Sequence, residues 1–274
     1  MLTICIILIV LLVLDLLFTL ALRCRKGHRK WEVLKKYRYA HRGYHDKPVV
    51  PENSLPAFRR AIERGFGAEL DVHLLKDGTL AVFHDSDLRR CANVEGEIED
   101  LTLDELKQLR LEGTDEQIPT FDEVLALFEH ETPLIIELKT ARGNHMALAK
   151  AVCERLDSYQ GEFCIESFDP FALIDVKKLR PENCRGQLSM NFEKDKSGLP
   201  WYKRFIAGNL LLNFLTVPDF IAYKFEDRSS YCLRSCVRVW GAQEVDWTIR
   251  TKEDLLACEA AGGIPIFERF DPEL

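Results

Sequence analysis

The chain has 274 residues, enough for one barrel-sized domain and a small appendage, since (β/α)8 barrels need about 250 residues. Hydrophobic residues make up 47% and charged residues 30%, as is ordinary for a globular protein. The formal net charge of -7 argues against a nucleic-acid-binding protein, which usually has a basic face. The nine cysteines lack the paired spacing of zinc sites, so we expect reduced, buried thiols.

The first segment, residues 1–22, is almost wholly apolar and about as long as a bilayer-spanning helix. A basic stretch, 23–36, follows it and is predicted to be a juxtamembrane linker. A cleaved signal peptide is the alternative, but that would place basic residues before the apolar run and small residues at the cut. We therefore predict an uncleaved anchor, in which Asp15 is discordant because it costs about 2.5–3.5 kcal/mol at a helix centre. The positive-inside rule predicts a single-pass protein of the cell membrane with the following domain in the cytoplasm.

The next stretch, 39–85, concentrates polar side chains of several kinds. A short apolar run ends at Ala40, so His41 and Arg42 lie where a strand opens into a loop. Residues 68–75 are strand-like, and their alternation puts Glu69 and Asp71 on one face. A hairpin signal, Lys-Asp-Gly-Thr at 76–79, then returns the chain so that His84 approaches the two carboxylates.

Strands and helices alternate through the rest of the chain, which favours a parallel α/β barrel over 37–274. A polar insertion at about 86–117 holds a predicted helix over 102–110, which begins with a capping box. The run 134–138 reads as a buried parallel strand whose only interior charge is Glu137. The remaining predicted strands are 163–165, 186–190, 220–223, 244–248 and 264–267, with helices over 121–129, 144–156, 170–179, 230–239 and 252–261.

One apolar segment, 199–215, is longer than a connecting helix requires. As a helix begun near Pro200, it would place Trp201, Phe205, Leu212 and Leu215 along one apolar face. The segment is then either a barrel helix packed on the sheet or an interfacial flap over the barrel mouth that rests on a bilayer.

The ordered motifs resemble the glycerophosphodiester phosphodiesterase family. The matching residues run from about 38 to 270 and include His-Arg-Gly at 41–43, Pro-Glu-Asn-Ser at 51–54, Glu-Leu-Asp-Val at 69–72, Lys-Asp-Gly at 76–78, His-Asp at 84–85, Ile-Pro-Thr at 118–120, Ile-Glu-Leu-Lys at 136–139, Ser-Phe at 167–168 and Trp-Thr at 247–248. The resemblance implies a TIM-type barrel, a divalent metal, and hydrolysis of glycerol-3-phospho-alcohols to glycerol 3-phosphate and an alcohol.

The resemblance also implies roles for particular residues. Glu69, Asp71 and Glu137 correspond to the family's metal ligands, and their oxygen donors favour one Mg²⁺ or Ca²⁺ over zinc. His41 and His84 correspond to its acid/base pair, although the sequence does not show which of them is the acid. Apart from the resemblance, His73 alternates with Asp71 and could share its face, which makes it a further candidate.

The remaining predicted contacts are with substrate. Arg42 and Lys139 are predicted to bind the phosphate. Phe168 and Trp247 are predicted by their family positions to wall the glycerol pocket. The chain differs from the family's usual pattern at two positions that bear on this pocket. It has Arg250 where the family often has Asn, and Glu268 where the family often has Asp.

Three alternative functions are also compatible with the sequence. A lysophospholipase D would use the same chemistry on a lysophospholipid, and the anchor and the apolar segment 199–215 favour it. A phospholipase-C-like enzyme would cut the other ester bond. A catalytically inactive barrel could serve as a lipid-binding membrane scaffold, but it would be expected to lose a histidine or carboxylate of the motif set. The sequence does not indicate an oligomeric state or the head-group alcohol.

Overall fold

Eight parallel strands close into a barrel in the computed structural model, which describes residues 2–194 and 198–274. The barrel closes because β1 pairs with both β2 and the last strand, β9, while β3 returns antiparallel along β2 outside the barrel. The predicted TIM-type barrel is confirmed. The strands are β1 (Tyr39–Ala40), β2 (Gly67–Leu74), β3 (Leu80–Val82), β4 (Leu134–Leu138), β5 (Phe163–Ser167), β6 (Arg185–Ser189), β7 (Phe220–Lys224), β8 (Gln243–Ile249) and β9 (Ile264–Phe267).

Most helices lie at predicted positions, although the short helices at 31–34 and 89–92 were not predicted. Several helices begin at a side-chain cap. Thr102 and Thr120 form capping boxes, and the hydroxyl of Ser54 accepts a hydrogen bond from the N–H of Ala57. The helix predicted over 102–110 is shorter, ending at Leu106. The helices are α1 (Leu2–Ala21), α2 (Trp31–Leu34), α3 (Leu55–Glu63), α4 (Arg89–Ala92), α5 (Leu103–Leu106), α6 (Phe121–Phe128), α7 (His145–Leu156), α8 (Pro170–Leu179), α9 (Trp201–Gly208), α10 (Asn213–Thr216), α11 (Tyr231–Arg238) and α12 (Lys252–Ala260).

Apolar side chains fill the N-terminal half of the barrel. Alternation along each strand turns every second side chain inward, and the inward residues of this half include Tyr39, Ile135, Cys164, Leu188, Phe220, Ala222, Val245, Ile264 and Ile266. Trp31 of α2 closes this end, with its ring 5.2 Å from that of Phe220. Polar inward positions therefore concentrate at the carboxyl ends of the strands.

The predicted insertion forms a small unit beside β3. It has an apolar core of its own, made of Leu75, Ala81, Phe83, Leu88, Cys91, Ala92, Ile98, Leu106, Leu111 and Ile118. This packing fixes α4 and the turn around Glu99 against the carboxyl end of the barrel.

The N-terminal helix α1 is long and apolar enough to cross a membrane, a test that a signal sequence also passes. Its last turn packs on the outside of the barrel, where Phe18 stacks on Tyr231 with ring centroids 6.2 Å apart. Residues 23–36 also pack closely, since the Arg25 guanidinium donates to both oxygens of Asp219, at 2.5 and 2.7 Å. The predicted linker thus lies against the barrel.

The apolar segment 199–215 consists of two short helices, α9 and α10, and not of one continuous helix. The chain breaks at Leu210, whose φ of 57° lies in the left-handed region. Leu210 is buried, whereas the aromatic residues of α9 are exposed.

Candidate active site

Three carboxylates meet inside the carboxyl end of the barrel. Glu69 and Asp71 lie on β2, and Glu137 lies directly opposite Asp71 on β4. All three are buried, and one oxygen from each lies within 4.8 Å of the others. Burial and the neighbouring carboxylates raise the pKa of Glu69 well above its usual range, and burial raises the pKa of Glu137 to about 7. The cluster therefore favours a positive charge placed among its oxygens.

Two basic side chains border this cluster. The Lys139 ammonium lies 3.1 Å from Oε1 of Glu137 and 3.3 Å from Oδ1 of Asp71. Nε of Arg42 lies 3.7 Å from Oδ2 of Asp71. Burial alone would raise the pKa of Asp71, but Lys139, His84 and Arg42 lower it well below its usual value, so this carboxylate is ionised.

The turn after β1 depends on a glycine. Arg42 has φ 55° and Gly43 has φ 77°, so two consecutive residues are left-handed. A Cβ on Gly43 would lie 2.9 Å from the Cβ of Ala57, which leaves no space for a side chain. The turn aims the N–H of Arg42 at Oε2 of Glu69, at 2.9 Å. His41 and Arg42 are thus held at the rim of the carboxylate cluster.

His41 is held by a carboxylate on one ring nitrogen. Its Nδ1 lies 2.7 Å from Oε2 of Glu268, and its Nε2 lies 3.9 Å from Oε2 of Glu69. Burial lowers the pKa of His41 to about 4, so the ring is neutral near pH 7. A neutral ring that donates from Nδ1 to Glu268 leaves the lone pair of Nε2 facing the cluster. Glu268 also accepts from Nε of Arg250 at 2.8 Å, so the two departures from the family's pattern contact each other.

His84 is held in the same way. Its Nδ1 lies 2.5 Å from Oδ1 of Asp85, and burial lowers its pKa. Oδ2 of Asp85 accepts from Nε of Arg90 at 2.5 Å, and Nη2 of Arg90 donates to Oε1 of Glu52 at 2.7 Å. The same Glu52 oxygen accepts from Nη1 of Arg42 at 2.9 Å. Arg90 therefore links the support of His84 to the support of Arg42.

A cavity of about 230 Å³ opens beside the carboxylates, and it is lined by His73, His84, Ser86, Glu137, Leu138, Lys139, Thr140, Ser167, Phe168 and Asp169. Phe168 forms part of its wall, and Trp247 packs edge-on behind Phe168 with centroids 5.6 Å apart. A larger cavity of about 500 Å³ lies beside Tyr44 and Arg269, and none of the three carboxylates lines it. The smaller cavity is therefore the candidate active-site cavity, since it is lined by His84, Glu137 and Lys139.

Sequence reasoning missed Glu166, a fourth carboxylate of the barrel interior. It pairs with Glu137 across β4 and β5, and burial followed by the charges of Glu137 and Asp71 raises its pKa well above the usual range. Its signal was the same as that of Glu137, a single charge inside an apolar strand. The support residue Asp85 belongs to the His-Asp motif at 84–85 but was given no role, and Arg90 gave no comparable signal.

His73 serves as a support of the insertion. Its Nδ1 lies 2.7 Å from Oε1 of Glu99, and its Nε2 lies 3.3 Å from the carbonyl oxygen of His84. With both ring nitrogens engaged, His73 fixes the loop that carries His84.

A second group of possible metal ligands, Glu52, Cys91 and Glu112, lies at the edge of the insertion. The Lys47 ammonium contacts both of its carboxylates. This lysine already supplies the positive charge that a metal ion would bring there.

The chain also resembles known proteins. A sequence model described as the glycerophosphoryl diester phosphodiesterase family matches residues 41–262. The chain belongs to this family. A glycerophosphodiester phosphodiesterase from Caldanaerobacter subterraneus subsp. tengcongensis is 33% identical over 238 residues, covering 81% of this chain and 89% of the relative.

Two further similarities bear on fold and substrate. A solved structure of an Oleispira antarctica phosphodiesterase, in complex with the product sn-glycerol-3-phosphate, has a TM-score of 0.69 and 26% identity, covering 85% of this chain and 92% of that one. A human lysophospholipase D is 33% identical over 147 residues, which is 49% of this chain and 45% of the relative. The expected enzyme class, a glycerophosphodiester phosphodiesterase, is confirmed at the level of the family.

Proposed function

We propose that this protein hydrolyses glycerophosphodiesters to glycerol 3-phosphate and an alcohol, with the help of one divalent cation. The observation that carries the proposal is the convergence of Glu69, Asp71 and Glu137. His41 lies 3.9 Å from Glu69, and His84 lines the same cavity as Glu137. Burying several carboxylates together lowers the stability of the fold. The arrangement is therefore better explained by function than by folding.

The residues present fit a hard divalent cation. The three carboxylates offer only oxygen donors, which suit Mg²⁺ or Ca²⁺. Oδ1 of Asp71 is buried and accepts no hydrogen bond from the described residues, although the Lys139 ammonium lies 3.3 Å away. Glu69, Asp71 and Glu137 would hold the cation, and when bound it supplies positive charge against the oxygens of the phosphodiester.

The protein's own groups account for the proton transfers. The Arg42 guanidinium and the Lys139 ammonium bind the non-bridging phosphate oxygens. One histidine, as a neutral ring, accepts a proton from the nucleophile as the new P–O bond forms. The other, in its protonated form, donates a proton to the leaving alcohol oxygen as its P–O bond breaks. Net addition of water to the diester gives glycerol 3-phosphate and the alcohol.

A second candidate function is a lysophospholipase D that uses the same site. The apolar segment with exposed aromatic residues, α9, favours it, and so does the similarity to the human lysophospholipase D. The two activities differ in whether the glycerol still carries an acyl chain.

We place the protein in the cell membrane, with α1 as a single-pass anchor and the barrel in the cytoplasm. The basic residues after α1 support this orientation. All nine cysteines are free thiols and eight of them are buried, as suits a reducing compartment.

The test is to incubate the full-length protein with glycerophosphocholine and to identify the products by ³¹P NMR. We expect glycerol 3-phosphate and choline, and turnover slower by at least about 10²-fold in His41→Ala. Formation of phosphocholine and glycerol would instead indicate the phospholipase-C-like cleavage. Absence of turnover on every glycerophosphodiester tried would leave the inactive lipid-binding barrel.

A further inference from the structure

The surface beside the active-site mouth is unusually aromatic. Three side chains of α9, Trp201, Tyr202 and Phe205, are exposed, and so are Phe214 and Leu215 of α10. Trp201 is 71% exposed, and none of the eight residues of α9, all of them described, is buried. We call these five side chains the lipid face. A water-soluble surface rarely exposes so many large apolar groups together, so a partner is expected.

The N-terminal helix indicates which partner covers the lipid face. The chain between α9 and α10 buries Leu210, which belongs to the same apolar cluster as Phe18 in the last turn of α1 and Leu22 just after it. The rest of α1 extends away from the barrel with no burial. A bilayer entered by α1 therefore meets the protein beside α9 and α10.

The composition of the lipid face also suits a membrane interface. Trp and Tyr favour the boundary between headgroups and acyl chains. Lys203 and Arg204 lie on α9 itself, and the Lys177 ammonium donates to the carbonyl oxygen of Leu215 at 2.7 Å. Cations beside the lipid face would attract the anionic headgroups of a bilayer.

An apolar path connects the lipid face with the active-site cavity. Phe168 lines that cavity, and its ring centroid lies 6.1 Å from that of Phe192. Phe192 in turn lies against Gly208 of α9, where an added Cβ would be 3.6 Å from its ring. A further, narrow cavity lies between Phe168 and α9, and its mostly apolar lining includes Ile206, Leu210 and Leu212.

We propose that the lipid face rests on the bilayer that α1 enters, and that it passes a single-acyl phospholipid from that bilayer to the site. The acyl chain stays among the aromatic side chains while the phosphodiester reaches the carboxylates. This inference rests on the proposed function for its substrate, but the contact with lipid can be measured without any turnover.

The first test uses full-length protein in nanodiscs whose lipids carry brominated acyl chains, which quench nearby tryptophan. Trp201→Phe is compared with Trp31→Phe, because Trp31 is buried at the opposite end of the barrel. We expect Trp201→Phe to remove part of the quenchable fluorescence and Trp31→Phe to remove none. Trp240, whose Nε1 donates to the carbonyl oxygen of Thr19 at the end of α1, contributes the same background to both variants. Equal quenching in the two variants would overturn the proposal, whether or not the protein is active.

The second test measures turnover in the same nanodiscs. Phe205→Asp should lower hydrolysis of lysophosphatidylcholine by about tenfold or more, because a charge opposes burial in the interface. Its hydrolysis of soluble glycerophosphocholine should match the wild type. Leu256→Asp, at an exposed position on α12, is the control and should change neither activity.

Two outcomes of the second test would contradict the proposal. An equal fall on both substrates would mean that Phe205 supports the barrel and not the lipid contact. Unquenched Trp201 together with a dimer that Phe205→Asp dissociates, seen by light scattering, would mean that a second copy of the chain covers the lipid face.

Discussion

Arg90 contacts neither the carboxylate cluster nor the cavity, yet it bridges the partners of two proposed catalytic groups. Its Nε donates to Asp85, which holds His84, and its Nη2 donates to Glu52, which holds Arg42. A planar guanidinium can serve both carboxylates at once, whereas a lysine ammonium cannot keep the same geometry. Arg90 is therefore a positioning residue.

We expect Arg90→Ala to lower kcat by about 10- to 100-fold, the scale of a misplaced catalytic group, with KM much less affected. Arg90→Lys should recover only part of the loss. The neighbouring Arg89, whose side chain is 66% exposed and whose carboxylate partners lie 3.7 Å away, provides the control, and Arg89→Ala should behave as wild type. Unchanged kcat in Arg90→Ala, with normal thermal stability, would mean that His84 needs no such support.

The two histidines make a separate prediction. His41→Ala and His84→Ala should each lower kcat by at least about 10²-fold, the usual contribution of a positioned general acid or base. The double variant should lose less than the product of the two single losses, since the pair acts as a unit. Steady-state turnover of glycerophosphocholine measures all three variants. Near-wild-type turnover in either single variant would remove that histidine from the mechanism.

At the scale of elements, the contact between β8 and α12 buries an unpartnered carboxylate. Neither oxygen of Asp246 accepts a hydrogen bond from the described residues, and the nearest guanidinium nitrogen of Arg228 lies 3.7 Å away. Burial, and then the charge of Glu244, raise the pKa of Asp246 to about 7. An unfolded chain would release this proton near pH 3.9. The folded state thus binds more protons between about pH 4 and 7, and the free energy of unfolding should fall as pH rises through that range.

Asp246→Asn removes the charge and keeps the size of the side chain. We expect this variant to exceed the wild type in free energy of unfolding by about 1–3 kcal/mol at pH 8, the cost of a buried unpaired polar group, and to differ little at pH 4. Urea denaturation of the full-length protein in detergent at both pH values measures the difference. A variant less stable than the wild type at pH 8 would show that an ionised Asp246 is stabilised by Arg228.

Local patterns in the sequence predicted the elements and part of the site. Alternation placed Glu69 and Asp71 on one face, and a lone charge in an apolar strand singled out Glu137. The contacts of Glu268 could not be predicted from the sequence, because they depend on the pairing of β9 with β1. Those of Arg90 could not be predicted either, because they depend on how the insertion packs. The break between α9 and α10 was also missed, since burial of Leu210 against α1 overrides the local helical preference.

At the scale of the whole molecule, α1 and the barrel predict a topology. The basic residues after α1 should hold the barrel on the cytoplasmic side. Green fluorescent protein fused to the C-terminus should therefore fluoresce, and alkaline phosphatase fused there should be inactive. An active phosphatase fusion would place the barrel outside the cell, as a cleaved signal sequence would do.

The central claim is that the buried carboxylates hold a divalent cation without which the diester is not hydrolysed. The most direct measurement is to strip the full-length protein with EDTA, titrate Mg²⁺ or Ca²⁺ back by calorimetry, and follow glycerophosphocholine turnover on the same samples. We predict one cation per chain, turnover that returns in step with its binding, and loss of both in Glu137→Gln with an unchanged circular dichroism spectrum. Full turnover by protein that elemental analysis shows to be metal-free would contradict the account.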